Sequence, residues 1–210
     1  MINLLLADDH QMFREGIKQV LSIYSDIKIC AEAGSGREVI EAIADQKFNV
    51  LVLDISMPGM NIFDLLSEIK KSTPDIPILI LSMHPEEQYA VRLLKEGIAG
   101  YVTKESAAEE LLSAIRKVHS GGKYISTRLA ESIAFSFDNY PGNGTHEDLS
   151  NREYEVMCML AKGKTLKDIA EELFISQKTV TTYRARILSK LNLKNNVELT
   201  RYALEHHIIE

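Results

Sequence analysis

The chain has no tryptophan, only two cysteines and five prolines in 210 residues. Cys30 and Cys158 are far apart and alone, so there is no zinc-type spacing. Buried, reduced thiols are expected rather than a disulfide framework. No apolar stretch approaches the roughly 20 residues of a membrane helix. The N-terminus enters an apolar run and then two aspartates, without the pattern of a signal peptide. These absences predict a soluble, cytoplasmic chain with no membrane partner. Internal repeats and low-complexity segments are also missing, and the length suits two domains.

Acidic charge is not missing, but it is unevenly placed. Residues 1–148 carry 14 basic and 22 acidic side chains, a net of −8, whereas residues 149–210 carry 10 and 8, a net of +2. Between Ser176 and Asn196 stand Lys178, Arg184, Arg186, Lys190 and Lys194 with no acidic residue. Such a run suits nucleic-acid phosphates, and its plainer alternative is a solvated helix face. Residues 138–148 read DNYPGNGTHED, dense in turn formers, and a short helix over Thr127–Phe137 is expected to precede them. The division predicted is 1–121, a linker over 122–147, and 148–210.

Five short apolar runs mark the first part: Ile2–Ala7, Ile27–Ala31, Asn49–Leu53, Ile76–Leu81 and Gly100–Val102. Three are nearly continuous in aliphatics, as in strands covered on both faces, and segments with helical spacing separate them all. The expected fold is α/β: a doubly wound, five-stranded parallel sheet with right-handed crossovers, followed by a small all-α domain.

Asp8 and Asp9 follow the first run, Asp54 the third, Ser82 the fourth and Lys104 the fifth. In an open parallel sheet these positions converge at the C-terminal edge, where such folds hold ligands. Three carboxylates so close repel one another unless a cation sits among them. Mg²⁺ suits all-oxygen donors and leaves positions for water and phosphoryl oxygens. A carboxylate there can act as a nucleophile toward phosphorus, with Lys104 neutralising charge and the Ser82 hydroxyl holding an oxygen. Singly, Asp8 and Ser82 could instead be helix caps and Lys104 a solvated lysine.

The last part reads as four helices. Leu149-Ser-Asn-Arg-Glu opens the first, which ends near Gly163; Thr165–Leu173 is the second; Ser176 caps a third running to Leu191; Asn195–His206 is the fourth. A tight turn at Phe174-Ile175-Ser176 makes the middle pair a helix-turn-helix. On a helical wheel the third helix turns Val180, Ile187, Leu188 and Leu191 inward. Lys178, Thr181, Thr182, Ala185, Arg186 and Ser189 face outward, and with Thr179 and Lys190 they are the candidate DNA-binding residues. Thr and Ala suit base edges and thymine methyls, Lys and Arg suit phosphates and guanine. Arg184 falls on the inner side, where its head is expected to pair with Glu153.

The motifs ADDH at 7–10, LDISMPGM at 53–60, LSM at 81–83 and GYVTK at 100–104 resemble the receiver domain of two-component response regulators. LSNREYEV from Leu149, IAEEL from Ile169, SQKTV from Ser176 and KLNLK at 190–194 resemble the LuxR-type output domain, so nearly the whole chain is similar to the NarL/FixJ class. The resemblance implies that Asp54 is the phosphoacceptor. It also implies that Asp9, Asp54 and the backbone carbonyl of Ser56 hold Mg²⁺, and that Asp8 acts through a metal-bound water. Ser82 becomes the switch hydroxyl, Tyr101 the coupled aromatic and Lys104 the partner of the phosphoryl group. A bacterial transcription regulator rather than an enzyme is implied, with a cognate sensor histidine kinase, double-stranded promoter DNA and RNA polymerase as partners and dimerisation on phosphorylation.

Two other readings compete with this one. A phosphohydrolase with an Asp nucleophile carries Asp-x-Asp, but position 56 is Ser. A receiver kept only for dimerisation would not need the full Asp8, Asp9, Asp54, Ser82 and Lys104 set. One departure stands out: where the family continues Asp-Gly after MPGM, this chain has Asn61-Ile62, so an altered start of the third helix is expected.

Overall fold

The computed structural model describes residues 1–106, 108–127, 129–131, 145–206 and 208–209. Contacts divide the chain into two units, Met1–Glu131 and Ser132–Glu210. The turn-rich stretch before residue 145 and most of the expected connecting helix lie outside the described residues.

The first unit alternates strand and helix: β1 (Ile2–Ala7), α1 (Gln11–Ser22), β2 (Ile27–Ala33), α2 (Gly36–Asp45), β3 (Val50–Leu53), α3 (Ile62–Ser72), β4 (Ile78–Ser82), α4 (Glu86–Lys95), β5 (Gly100–Thr103) and α5 (Ala108–His119). All strands are parallel, in the order β2-β1-β3-β4-β5. The interior strands β1, β3 and β4 are buried along nearly their whole length, which is why their sequences are continuous in aliphatics. β2 lies at an edge and runs two residues past its expected end, with Lys28 and Glu32 exposed. Cys30 on it is half-buried, correcting the expectation of a buried thiol, while Cys158 is buried.

Local chemistry sets the helix starts. Ser35 caps α2 and Asn61 caps α3, each side chain accepting from a backbone N–H of the first turn. Ile62 occupies the first turn of α3 with 2% of its surface exposed. The start of α3 is thus carried by the Asn61 cap and a buried aliphatic, in a helical conformation that needs no glycine.

The second unit has a 3₁₀ turn at His146–Asp148 and then α6 (Asn151–Ala161), α7 (Leu166–Glu172), α8 (Gln177–Lys190) and α9 (Asn196–Glu205). Ser150, Thr165, Ser176 and Asn195 cap them, and the first two form reciprocal capping boxes with Glu153 and Asp168. Val180, Ile187, Leu188 and Leu191 are buried, as the wheel predicts. The turn between α7 and α8 is made by Phe174 at φ +53.

Among the described residues no helix is long and apolar enough to cross a membrane.

Candidate phosphoacceptor pocket and nucleic-acid helix

β1 and β3 are neighbours with Ala7 beside Leu53, so the next residue on each, Asp8 and Asp54, emerge side by side. The Asp54 N–H donates to the Ala7 carbonyl at 2.9 Å, joining the ends of β1 and β3, and the Lys104 N–H to the Ser82 carbonyl at 2.8 Å, joining those of β4 and β5. Asp8 and Asp54 are 1% and 2% exposed. The Lys104 ammonium lies between them, 2.6 Å from Asp8 Oδ2 and 2.8 Å from Asp54 Oδ2, with its side chain 4% exposed. The Phe13 ring centroid is 4.8 Å from the same nitrogen.

Burial pushes the Asp54 carboxyl above its ordinary value; the Lys104 ammonium and the Ser56 backbone N–H pull in the opposite direction, while the nearby Asp8 charge adds to the rise. Two buried carboxylates against one ammonium leave an uncompensated negative charge. Asp9, at the mouth, adds another, and ligand atoms of Asp8, Asp9, His10 and Asp54 all lie within 4.8 Å of one another. This carboxylate-rich donor set fits a small hard divalent cation such as Mg²⁺.

The structure brings Asp8, Asp9, Asp54 and Lys104 together and puts Ser82, fully buried, at the end of the next strand. Ser82 Oγ accepts from the His84 N–H at 3.1 Å. Tyr101 is fully buried, and its hydroxyl donates to the His84 carbonyl at 2.8 Å.

Two histidines were missed in the sequence. His84 Nε2 lies 3.2 Å from Ser56 Oγ, across 28 residues of chain. It therefore joins the loop carrying Asp54 to the one between Ser82 and α4. His10 Nδ1 is 2.7 Å from Asp9 and 3.3 Å from Asp8. Its adjacency to Asp8-Asp9 was the only signal available, and none marked His84.

In the second unit, Lys178, Thr181, Thr182, Ala185, Arg186, Ser189 and Lys190 are exposed along α8. Three details depart from the expected roles. Arg184 donates to Asn196 Oδ1 at 2.6 Å rather than to Glu153. Lys190 takes that partner, at 2.7 Å from Glu153 Oε2 and 3.1 Å from the Asp148 carbonyl. The wheel assigns a direction but not the reach of a long side chain, which explains the exchange. Thr179 is half-buried and hydrogen-bonds Ser176 Oγ at the start of α8, so it completes the cap. Thr181 and Thr182 hydroxyls donate to the Gln177 and Lys178 carbonyls one turn earlier.

Comparison with known proteins agrees with this architecture. Residues 4–116 match the response regulator receiver domain, and residues 147–203 match the bacterial regulatory proteins of the luxR family. The response regulator UvrY of Escherichia coli K12 is 38% identical over 207 residues, covering 98% of this chain and 95% of UvrY. The oxygen regulatory protein NreC of Staphylococcus epidermidis is 37% identical over 217 residues and covered completely, as is this chain. Among solved structures, RcsB from Salmonella enterica serovar Typhimurium, bound to promoter rprA with the phosphomimetic BeF3⁻, superposes with a TM-score of 0.69. The identity is 27%, over 96% of this chain and 98% of that one.

The chain belongs to the response regulators, with a receiver domain and a LuxR-type DNA-binding domain, in the NarL/FixJ manner of its relatives. It is a transcription regulator of a family in which phosphorylation is the usual control.

Proposed function

We propose that Asp54 is the phosphoacceptor and that its phosphorylation by a sensor histidine kinase controls dimerisation and promoter binding. The observation that carries this reading is the buried Asp8–Lys104–Asp54 bridge at the C-terminal sheet edge. Asp9, Asp54 and the Ser56 carbonyl would hold Mg²⁺, with Asp8 through a bound water; when present, the ion neutralises the phosphoryl oxygens. A carboxylate oxygen of Asp54 attacks phosphorus, and the P–N bond to the donor imidazole breaks as P–O forms. Lys104 and Ser82 then face oxygens of the transferred group, and Tyr101 follows Ser82 through the His84 backbone. Residues 1–121 act as the receiver, 122–147 as linker and 148–210 as the DNA-binding domain, in a cytoplasmic protein with RNA polymerase as a further partner.

In the output domain α8 enters the major groove. Lys178 and Arg186 meet phosphates, while Thr181, Thr182 and Ala185 approach base edges, flanked by Ser189. Lys190 and Thr179 support the helix and contribute secondarily.

Incubation with Mg²⁺ and a small-molecule phosphodonor should add one phosphoryl group by intact mass, stable in acid and lost in base. Asp54→Ala should take up none. Full labelling of that variant would remove Asp54 from the role.

A further inference from the structure

After α5 the chain returns to the sheet. The Tyr124 N–H donates to the Ala99 carbonyl at 2.8 Å and the Tyr101 N–H to the Tyr124 carbonyl at 3.2 Å, a parallel bridge that seals the outer edge of β5. Lys123 Nζ donates to the Ile98 carbonyl at 2.5 Å, and the Tyr124 hydroxyl to Glu110 at 3.1 Å. Ser126 Oγ donates to Glu86 in the first turn of α4 and accepts from the Leu129 N–H at 3.0 Å. Leu129 is 1% exposed.

Gly100 explains how the chain can come so close. A Cβ there would stand 2.7 Å from the Tyr124 carbonyl oxygen and 2.9 Å from its Cβ, a clash with backbone that has nowhere to go. The first described residues of the linker are therefore seated in a built slot.

That slot borders the phosphoacceptor machinery on two sides. Tyr101 reaches the His84 carbonyl through its hydroxyl and Tyr124 through its backbone. Glu86, which holds Ser126, follows His84 by two residues. One short loop, Ser82 to Glu86, thus touches Ser56 at one end and this segment at the other.

We propose that Lys123, Tyr124, Ser126 and Leu129 form a transmission strap, held in the unphosphorylated chain by Glu86 and the β5 edge and loosened when Asp54 is phosphorylated. This rests on the phosphoacceptor reading above. As Ser82 turns toward a phosphoryl oxygen, the His84 N–H loses its acceptor and the loop shifts. Glu86 moves with it, and its contact with the Ser126 hydroxyl breaks. The strap is the first stretch of the linker, so its release changes the tether of the DNA-binding domain.

The test is hydrogen exchange on the full chain, with and without Mg²⁺ and a small phosphodonor, with phosphate uptake followed by intact mass. Phosphorylation should raise exchange at the Tyr124 and Ala130 amides roughly fivefold, the loss of about one hydrogen bond. Ser126→Ala should show the raised rate at Tyr124 without the donor, take up phosphate normally, and gain little more on phosphorylation. Gly100→Ala should behave alike. Stoichiometric phosphate with unchanged exchange at Tyr124 and Ala130 overturns the strap and leaves the phosphoacceptor intact. A full fivefold rise persisting in Ser126→Ala also overturns it. If no phosphate is taken up, the phosphoacceptor reading fails and the strap falls with it.

Discussion

At the scale of single residues, the charge balance that Lys104 supplies can be tested apart from any phosphoryl contact. The Lys104 ammonium bridges the Asp8 and Asp54 carboxylates, and all three side chains are buried. Removing one partner of a buried ion pair costs about 3–5 kcal/mol because the remaining charges lose compensation. Lys104→Ala should therefore melt well below wild type without divalent cation, and Mg²⁺ should raise its melting temperature more than that of wild type. Equal Mg²⁺ responses would mean the ion does not sit among these carboxylates. Phe174 offers a simpler case: it is 71% exposed at φ +53, where a side chain with a Cβ is strained. Phe174→Asn should stabilise the second unit by up to about 1 kcal/mol, measured by thermal unfolding. Asp8, Asp54, Ser82 and Lys104 were legible because a strand's end and the residue after it are set by the apolar run itself. The Ser56–His84 contact was not, since it depends on how two loops approach across the sheet edge.

At the scale of elements, the strands and helices were readable because each is either sandwiched or amphipathic, and the helix caps carry their own side-chain signatures. What escaped was the strap after α5, whose pairing is a single bridge with no periodicity to betray it. Tyr124 gives that element a measurable marker. Burial and the nearby Glu110 carboxylate push its phenol up to about 12, so the folded state binds the proton more tightly than the unfolded chain. Its contribution is fully present below the ordinary phenol value near 10 and is lost as pH rises toward 12. Alkaline melts should fall less steeply with pH over that window in Tyr124→Phe than in wild type; parallel curves would show that Tyr124 is not the group responsible. On α8, the partner exchange between Arg184 and Lys190 shows the limit of wheel arguments for long side chains. Hydrogen bonds from Lys190 and Ser150 hold the Glu153 carboxyl below its ordinary value, against the larger single influence of burial. The pairing stabilises above about pH 4.5 and is lost as pH falls through the lowered folded value. Lys190→Ala should destabilise the unit by about 1–2 kcal/mol at neutral pH, Lys190 being 40% exposed, and by less in acid.

At the scale of the whole molecule, charge is sorted: −8 before residue 149 and +2 from there on, with Lys178, Arg184, Arg186 and Lys190 on α8 and no acidic residue beside them on that helix. The composition made that contrast plain, but not which cations are committed to internal partners, and this decides how many remain for phosphates. Each phosphate neutralised contributes about 0.9 to the slope of log affinity against log salt. Lys178 is exposed on the outer face of α8, whereas Lys190 pairs with Glu153. For the full chain on a duplex of scrambled sequence, Lys178→Ala should reduce the slope by about 0.9. Lys190→Ala should leave the slope nearly unchanged while lowering the melting temperature. Thr182→Ala should affect neither, and should relax preference at one base pair of a specific site by about 1–3 kcal/mol. If Lys190→Ala flattens the salt dependence as much as Lys178→Ala, the Glu153 pair is broken on DNA and Lys190 serves phosphate directly. If neither variant changes the slope, the reading element is not α8.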